Sequence, residues 1–64
     1  MKKITFTADQ RKKTFTIWVT HNDGSSTKYR TLPMDKDEFE SNEGNTQNDW
    51  SYFLRSQDGS YYKV

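Results

Sequence analysis

The chain has 64 residues, 0 cysteines and a formal net charge of +1, with 30% hydrophobic and 16% aromatic residues. This length suits one small domain, residues 1–64, and the lack of cysteine excludes stabilisation by disulfide bonds or thiolate-bound zinc. No apolar run reaches the ~20 residues of a membrane span, and no apolar signal core follows the basic start. We therefore expect a cytoplasmic protein without a membrane partner.

The near-neutral total conceals an uneven distribution of charge along the chain. Residues 1–33 contain seven lysines and arginines against two aspartates, a net charge of +5. Residues 34–64 contain three basic and seven acidic residues, a net charge of −4. A charge asymmetry of this kind points to interactions with charged partners.

The first half of the chain predicts three antiparallel strands. Residues 2–8 and 13–21 alternate polar with apolar side chains and are rich in threonine, isoleucine and aromatic residues, as is typical of strands with one buried face. Residues 26–32 continue the pattern as far as Pro33, which lacks the amide hydrogen that a strand ladder requires.

The turn between the second and third strands predicts their register. If Asn22–Gly24 forms a three-residue loop with its glycine in the left-handed conformation, Ile17 lies opposite Tyr29 and Trp18 lies opposite Lys28. A two-residue loop would instead turn Lys28 to the face of the aliphatic residues. We therefore expect the three-residue loop.

Across the first turn, near Asp9–Lys12, we expect Phe6 to pair with Phe15 and Ile4 with Ile17. The sheet then has two different faces. The apolar face holds Ile4, Phe6, Phe15, Ile17, Val19 and Tyr29. The opposite face holds Lys3, Thr5, Thr7, Thr14, Thr16, Trp18, Thr20, Lys28 and Arg30.

After Pro33 the sequence predicts two helices, residues 36–41 and 47–56, followed by a strand at 60–64. Asp35 and Thr46 are each followed by an acidic residue three positions later, Glu38 and Asp49, as is typical of N-terminal helix caps. In the second helix Trp50, Phe53 and Leu54 recur on one stripe that would cover the apolar sheet face. The expected fold is α+β: a three-stranded antiparallel meander covered on one face by a short and a longer helix, with a short C-terminal edge strand.

No combination of residues predicts catalysis. His21 is the only histidine, it lies beside a turn, and no cysteine is present to join it at a metal or nucleophile site. The 3 glycines stand far apart and form no phosphate-binding loop. We expect no enzyme activity, cofactor, metal or small-molecule substrate.

The polar sheet face is a candidate nucleic-acid interface. Cations displace the counterions of nucleic acid, aromatic rings stack on bases and hydroxyl groups bond to phosphate oxygens. The candidate residues are Lys3, Lys12, Lys13, Thr16, Trp18, Lys28 and Arg30. A three-stranded sheet backed by a helix, with an exposed basic face, resembles in layout the arm-type DNA-binding domains of phage integrases, which implies contact with DNA but assigns no residues.

Three alternatives fit the same sequence. Threonine, lysine and arginine are typical of an ordinary solvated sheet face, on which lysine stems or tyrosines would cover Trp18. Alternatively, the acidic segment 35–43 and exposed aromatic residues would bind a protein, with Asp37, Glu40, Glu43, Tyr61 and Tyr62 as candidates. The last strand could also pair with a second copy and form a homodimer.

Overall fold

The computed structural model describes residues 3–64 and confirms an α+β fold. Three strands come first, β1 (Lys3–Asp9), β2 (Thr14–Thr20) and β3 (Ser26–Thr31). Two helices follow, α1 (Lys36–Glu43) and α2 (Gln47–Ser56), and the last element is the short strand β4 (Tyr61–Lys63). Lys2, which we placed in the first strand, lies outside the described residues.

The strands form one antiparallel sheet in the order β1-β2-β3-β4, and both helices pack on one of its faces. β4 is therefore the fourth strand of the sheet and one of its two edges. Buried residues from β1, β2, α1 and α2 form a single core, which contains Ile4, Phe15, Ile17, Val19, Phe39, Trp50 and Phe53.

The predicted register between β2 and β3 is confirmed. Ile17 lies opposite Tyr29 and Trp18 opposite Lys28. The amide of His21 donates to the carbonyl of Ser25 at 2.8 Å, which closes a three-residue loop. Gly24 in this loop has φ +89°, a conformation that glycine adopts without steric cost.

The predicted register between β1 and β2 is wrong by two residues, because Phe6 pairs with Ile17 and Ile4 with Val19. The turn comprises residues 10–13 and begins one residue later than expected. The Asp9 carboxylate accepts the backbone amides of residues 11 and 12 at 3.1 Å each, and Lys13 closes the turn with φ +58°. A shift of two residues keeps every side chain on its predicted face, because side chains alternate with a period of two.

Both helices begin at the predicted caps. The Asp35 carboxylate accepts the Glu38 amide at 2.8 Å, and Thr46 and Asp49 form a reciprocal capping box. α1 extends two residues further than predicted, as far as Glu43, and Gly44 caps it. The α2 stripe packs on the apolar sheet face as predicted, with Trp50 and Phe53 buried and Leu54 partly buried.

Candidate nucleic-acid interface

The sheet face turned away from the helices, here called the open face, carries one side-chain set from all four strands. Strand pairing arranges this set in rows that cross the sheet. One row runs Thr5, Trp18, Lys28, and the next runs Thr7, Thr16, Arg30, Tyr62. By strand alternation the open face comprises Lys3, Thr5, Thr7, Asp9, Thr14, Thr16, Trp18, Thr20, Ser26, Lys28, Arg30 and Tyr62.

Trp18 lies near the middle of this face and is only partly buried. Its cross-strand neighbour Lys28 places its ammonium nitrogen 5.9 Å from the centre of the indole ring. That distance is within the range of a cation–π interaction, which favours a ring and a cation side by side at the surface. Both helices lie on the opposite face, and β4 lies at the sheet edge, two strands away from the strand of Trp18.

Arg30 stands between Thr16 on β2 and Tyr62 on β4. The phenol side chain of Tyr62 is 46% exposed, so the open face presents a second accessible aromatic ring. The sequence suggested Tyr62 as part of a protein-binding surface, as a cover for Trp18 or as part of a homodimer contact. The alternation of Tyr61 and Tyr62 indicated that one of them faces away from the helices, but which one depends on the pairing of β4 with β3.

Positive charge predominates on the open face. Lys3, Lys28 and Arg30 lie on it, whereas its one carboxylate from a strand is that of Asp9, at the end of β1. The Asp9 carboxylate already accepts two backbone amides in the adjacent turn. Thr14 is buried, but the hydroxyls of the other threonines fill much of the remaining area and can donate to phosphate oxygens. The geometry thus offers cations, hydroxyl donors and two rings on one accessible sheet.

The two turn lysines lie on different sides of the sheet edge, and only Lys12 is exposed. Lys13 lies on the helix side of the sheet: its ammonium donates to the Gln10 carbonyl at 2.7 Å and stands 5.5 Å from the centre of the Phe39 ring. Lys13, a candidate residue of the nucleic-acid interface, therefore does not lie on the open face, because its ammonium is directed toward Phe39 of α1. Lys12 is exposed in the turn at the end of the face.

The alternative protein-binding set does not form one surface. Asp37, Glu40 and Glu43 are exposed on α1, on the helix side of the molecule. Tyr61 is half-buried, packs against the core and donates its hydroxyl to the Leu54 carbonyl. Burial raises the pKa of the Tyr61 phenol above its ordinary value of 10.0, with smaller contributions from neighbouring Asp58 and Tyr29. Tyr62 points to the opposite, open face.

His21 lies beside the β2–β3 loop, is partly buried, and places its Nε2 2.7 Å from the Thr27 hydroxyl. Within residues 3–64 no group of three or more histidine, cysteine or acidic side chains is arranged to hold a metal ion. The described helices are all too short and too polar to cross a membrane.

Comparison with known proteins adds no functional information. The chain matches no protein-family model, no curated protein and no solved structure. The similarity in layout to integrase arm-type domains therefore carries no family assignment. The function has to be inferred from the residues that the fold brings together.

Proposed function

We propose that this protein is a small, non-enzymatic accessory protein of the cytoplasm that binds nucleic acid through its open face. One observation carries the proposal. Trp18 lies opposite Lys28 in one row of the open face, and Arg30 lies opposite Tyr62 in the next row. One partly exposed and one exposed ring, flanked by cations, supply the two interactions on which sequence-tolerant nucleic-acid binding depends, stacking on bases and neutralisation of phosphates.

The distribution of charge supports this choice of face. The exposed carboxylates of α1 lie on the other side of the sheet from Lys28 and Arg30. The cations of the open face attract the phosphates of nucleic acid, whereas the carboxylates of α1 repel them. The molecule therefore presents one side to a polyanion.

The expected binding is weakly sequence-specific and decreases as salt rises. Threonine hydroxyls and cations contact the backbone, which carries no sequence information, and aromatic stacking accepts every base. Each cation that contacts a phosphate releases condensed counterions, so the logarithm of the binding constant falls linearly with the logarithm of salt concentration.

The test is fluorescence anisotropy with labelled single-stranded and duplex DNA at about 50 and 200 mM salt, a range over which phosphate contacts weaken strongly. Trp18→Ala should weaken binding about 5- to 100-fold, the range expected for loss of one stacked base. Arg30→Ala should weaken binding and reduce the magnitude of the salt slope by about 1. Far-UV circular dichroism establishes that both variants remain folded.

Matched controls come from the helix side. Tyr52 is 65% exposed on α2, and Lys36 is exposed on α1, so Tyr52→Ala and Lys36→Ala remove a ring and a cation away from the open face. Neither control should change the affinity more than about twofold at about 200 mM salt. Binding that survives both open-face substitutions, or that the controls weaken equally, overturns the proposal.

A further inference from the structure

We infer that the open face selects single-stranded over duplex nucleic acid, with one base stacked on Trp18, another on Tyr62, and the backbone between them on Arg30 and Lys28. This inference rests on the proposed function and specifies the form of nucleic acid that is bound. It follows from the positions of two rings and two cations on three neighbouring strands.

The separation of the two rings is the first argument. Trp18 is on β2 and Tyr62 is on β4, two strands away and in the adjacent row. With neighbouring strands about 4.8 Å apart and two residues spanning about 6.7 Å, the Cα atoms lie about 12 Å apart. Successive bases on one strand of a duplex are about 3.4 Å apart along the axis. Two bases can therefore occupy both rings only if they are unstacked from each other.

The position of the cations is the second argument. Lys28 and Arg30 are both on β3, the strand that lies between β2 and β4. They point to the same face as the two rings because they are two residues apart on one strand. The backbone that connects a base on Trp18 with a base on Tyr62 has to cross β3. Its phosphates therefore pass over these cations.

Duplex DNA cannot use the same arrangement. Its base faces are covered by neighbouring base pairs, so Trp18 and Tyr62 would have no partner for stacking. A four-stranded sheet is also about 14 Å across between its outer strands, wider than the major groove of about 12 Å that admits a two-stranded ribbon. Antiparallel sheets that bind single-stranded RNA likewise stack bases on aromatic side chains of their exposed face.

The experiment compares a labelled single strand of about 12 nucleotides and mixed sequence, within the site size of a small binding domain, with the same strand annealed to its complement at equal salt. We expect the single strand to bind at least about tenfold more tightly, since stacking on each ring contributes only to its binding. Tyr62→Ala should weaken single-strand binding about fivefold or more and change duplex binding less than about twofold. Tyr62→Phe keeps the ring and should remain within about twofold of the natural protein.

Tyr52→Ala is again the matched control, because it removes an exposed tyrosine from the helix side. Duplex binding that equals or exceeds single-strand binding, and still depends on Trp18 and Arg30, overturns this inference but leaves the proposed function standing. Single-strand binding that is insensitive to Tyr62→Ala in the folded protein also overturns the two-ring arrangement. Failure of both DNA forms to bind overturns the inference and the proposed function together.

Discussion

At the scale of single residues, backbone conformation at two turn positions determines how the sheet is connected. Gly24 has φ +89° and Lys13 has φ +58°. Glycine has no Cβ and adopts the left-handed region freely, whereas another L-residue there costs roughly 1–2 kcal/mol. The β2–β3 loop therefore carries a recognisable signal, while the β1–β2 turn depends on Lys13 and on the Asp9 carboxylate, and no glycine marks it.

Replacing Gly24 with alanine should destabilise the protein through φ alone, because a Cβ added there would have no atom within 4 Å beyond its chain neighbours. We expect the free energy of unfolding to fall by about 0.5–1 kcal/mol. This value is the backbone strain of alanine at positive φ, reduced by the stabilisation that comes from a more restricted unfolded chain. In a domain of this size the melting midpoint should fall by about 4–7 °C.

Gly44→Ala is the control for this measurement. Gly44 also has open space around it, but its φ is −94°, which alanine adopts readily. The melting temperature of the Gly44→Ala variant should be unchanged or slightly raised. Equal melting temperatures for the two variants would contradict the assignment of strain to the loop.

At the scale of elements, β4 is attached to the fold on two sides. It pairs with β3, and Tyr61 reaches α2 through its hydroxyl bond to the Leu54 carbonyl and its ring contact with Phe53, at 6.0 Å between centroids. The same ring meets Tyr29 edge to face at 5.3 Å. A strand of three residues gains much of its stability from such a side-chain anchor, since its own ladder is short.

The anchor should make β4 sensitive to alkaline pH. Burial raises the pKa of the Tyr61 phenol above 10.0, so the folded state holds this proton more tightly than the unfolded state does. The stabilisation from the neutral phenol is complete below about pH 10 and is lost as pH rises through the folded-state pKa. Tyr61→Phe should therefore be less stable at about pH 7 but lose less stability between about pH 9 and 11.

Urea denaturation at a series of pH values measures this difference. Tyr52→Phe is the matched control, because the Tyr52 side chain is 65% exposed and its substitution should leave the pH dependence as in the natural protein. Indistinguishable pH profiles for Tyr61→Phe and the natural protein would show that the Tyr61 phenol does not couple to folding.

At the scale of the whole molecule, the fold converts the charge asymmetry of the sequence into two differently charged sides. Lys28 and Arg30 lie on the open face, and the carboxylates of α1 lie beyond the core. The molecule measures 36 × 21 × 19 Å. Each of its two shorter dimensions corresponds to about two Debye lengths at about 0.1 M salt, where one Debye length is about 10 Å.

Removing the acidic charge should affect nucleic-acid binding only at low salt. The combined variant Asp37→Asn, Glu40→Gln and Glu43→Gln should raise the affinity for DNA about threefold at about 10 mM salt, where the Debye length is about 30 Å. At about 150 mM salt, with a Debye length of about 8 Å, the affinity should remain within about twofold of that of the natural protein. Anisotropy titrations at the two salt concentrations measure both values.

Lys36→Gln is the control of opposite sign on the same helix, and it should lower the affinity slightly at the lower salt concentration only. An equal increase at both salt concentrations for the acidic variant would place these carboxylates next to the bound DNA. That result would contradict the assignment of binding to the open face.

Local pattern was sufficient to predict much of the fold and part of the candidate site. Capping residues marked the starts of both helices, and Asn22–Gly24 marked the β2–β3 loop. Alternation of side chains placed Trp18 on the face away from the aliphatic residues. These features depend on interactions between residues close in sequence, so the sequence carries them directly.

Features that depend on distant contacts were not predictable in this way. The register of β1 on β2 was missed because its turn lacks glycine, and the contact of Lys13 with Phe39 of α1 joins residues far apart in sequence. Tyr61 and Tyr62 were treated as one exposed pair. Alternation along β4 directs them to opposite faces, and the pairing of β4 with β3 decides that Tyr62 faces away from the helices.

The sequence by itself determined the order of the elements, the sides to which neighbouring strand residues point and the imbalance of charge between the two halves. Only the tertiary structure decided that Tyr62 joins Trp18, with Arg30 between their strands. The physical reason is that alternation along a strand is a property of the local backbone. The proximity of residues from β2, β3 and β4 instead depends on the order of the strands in the sheet and on the packing of both helices against it.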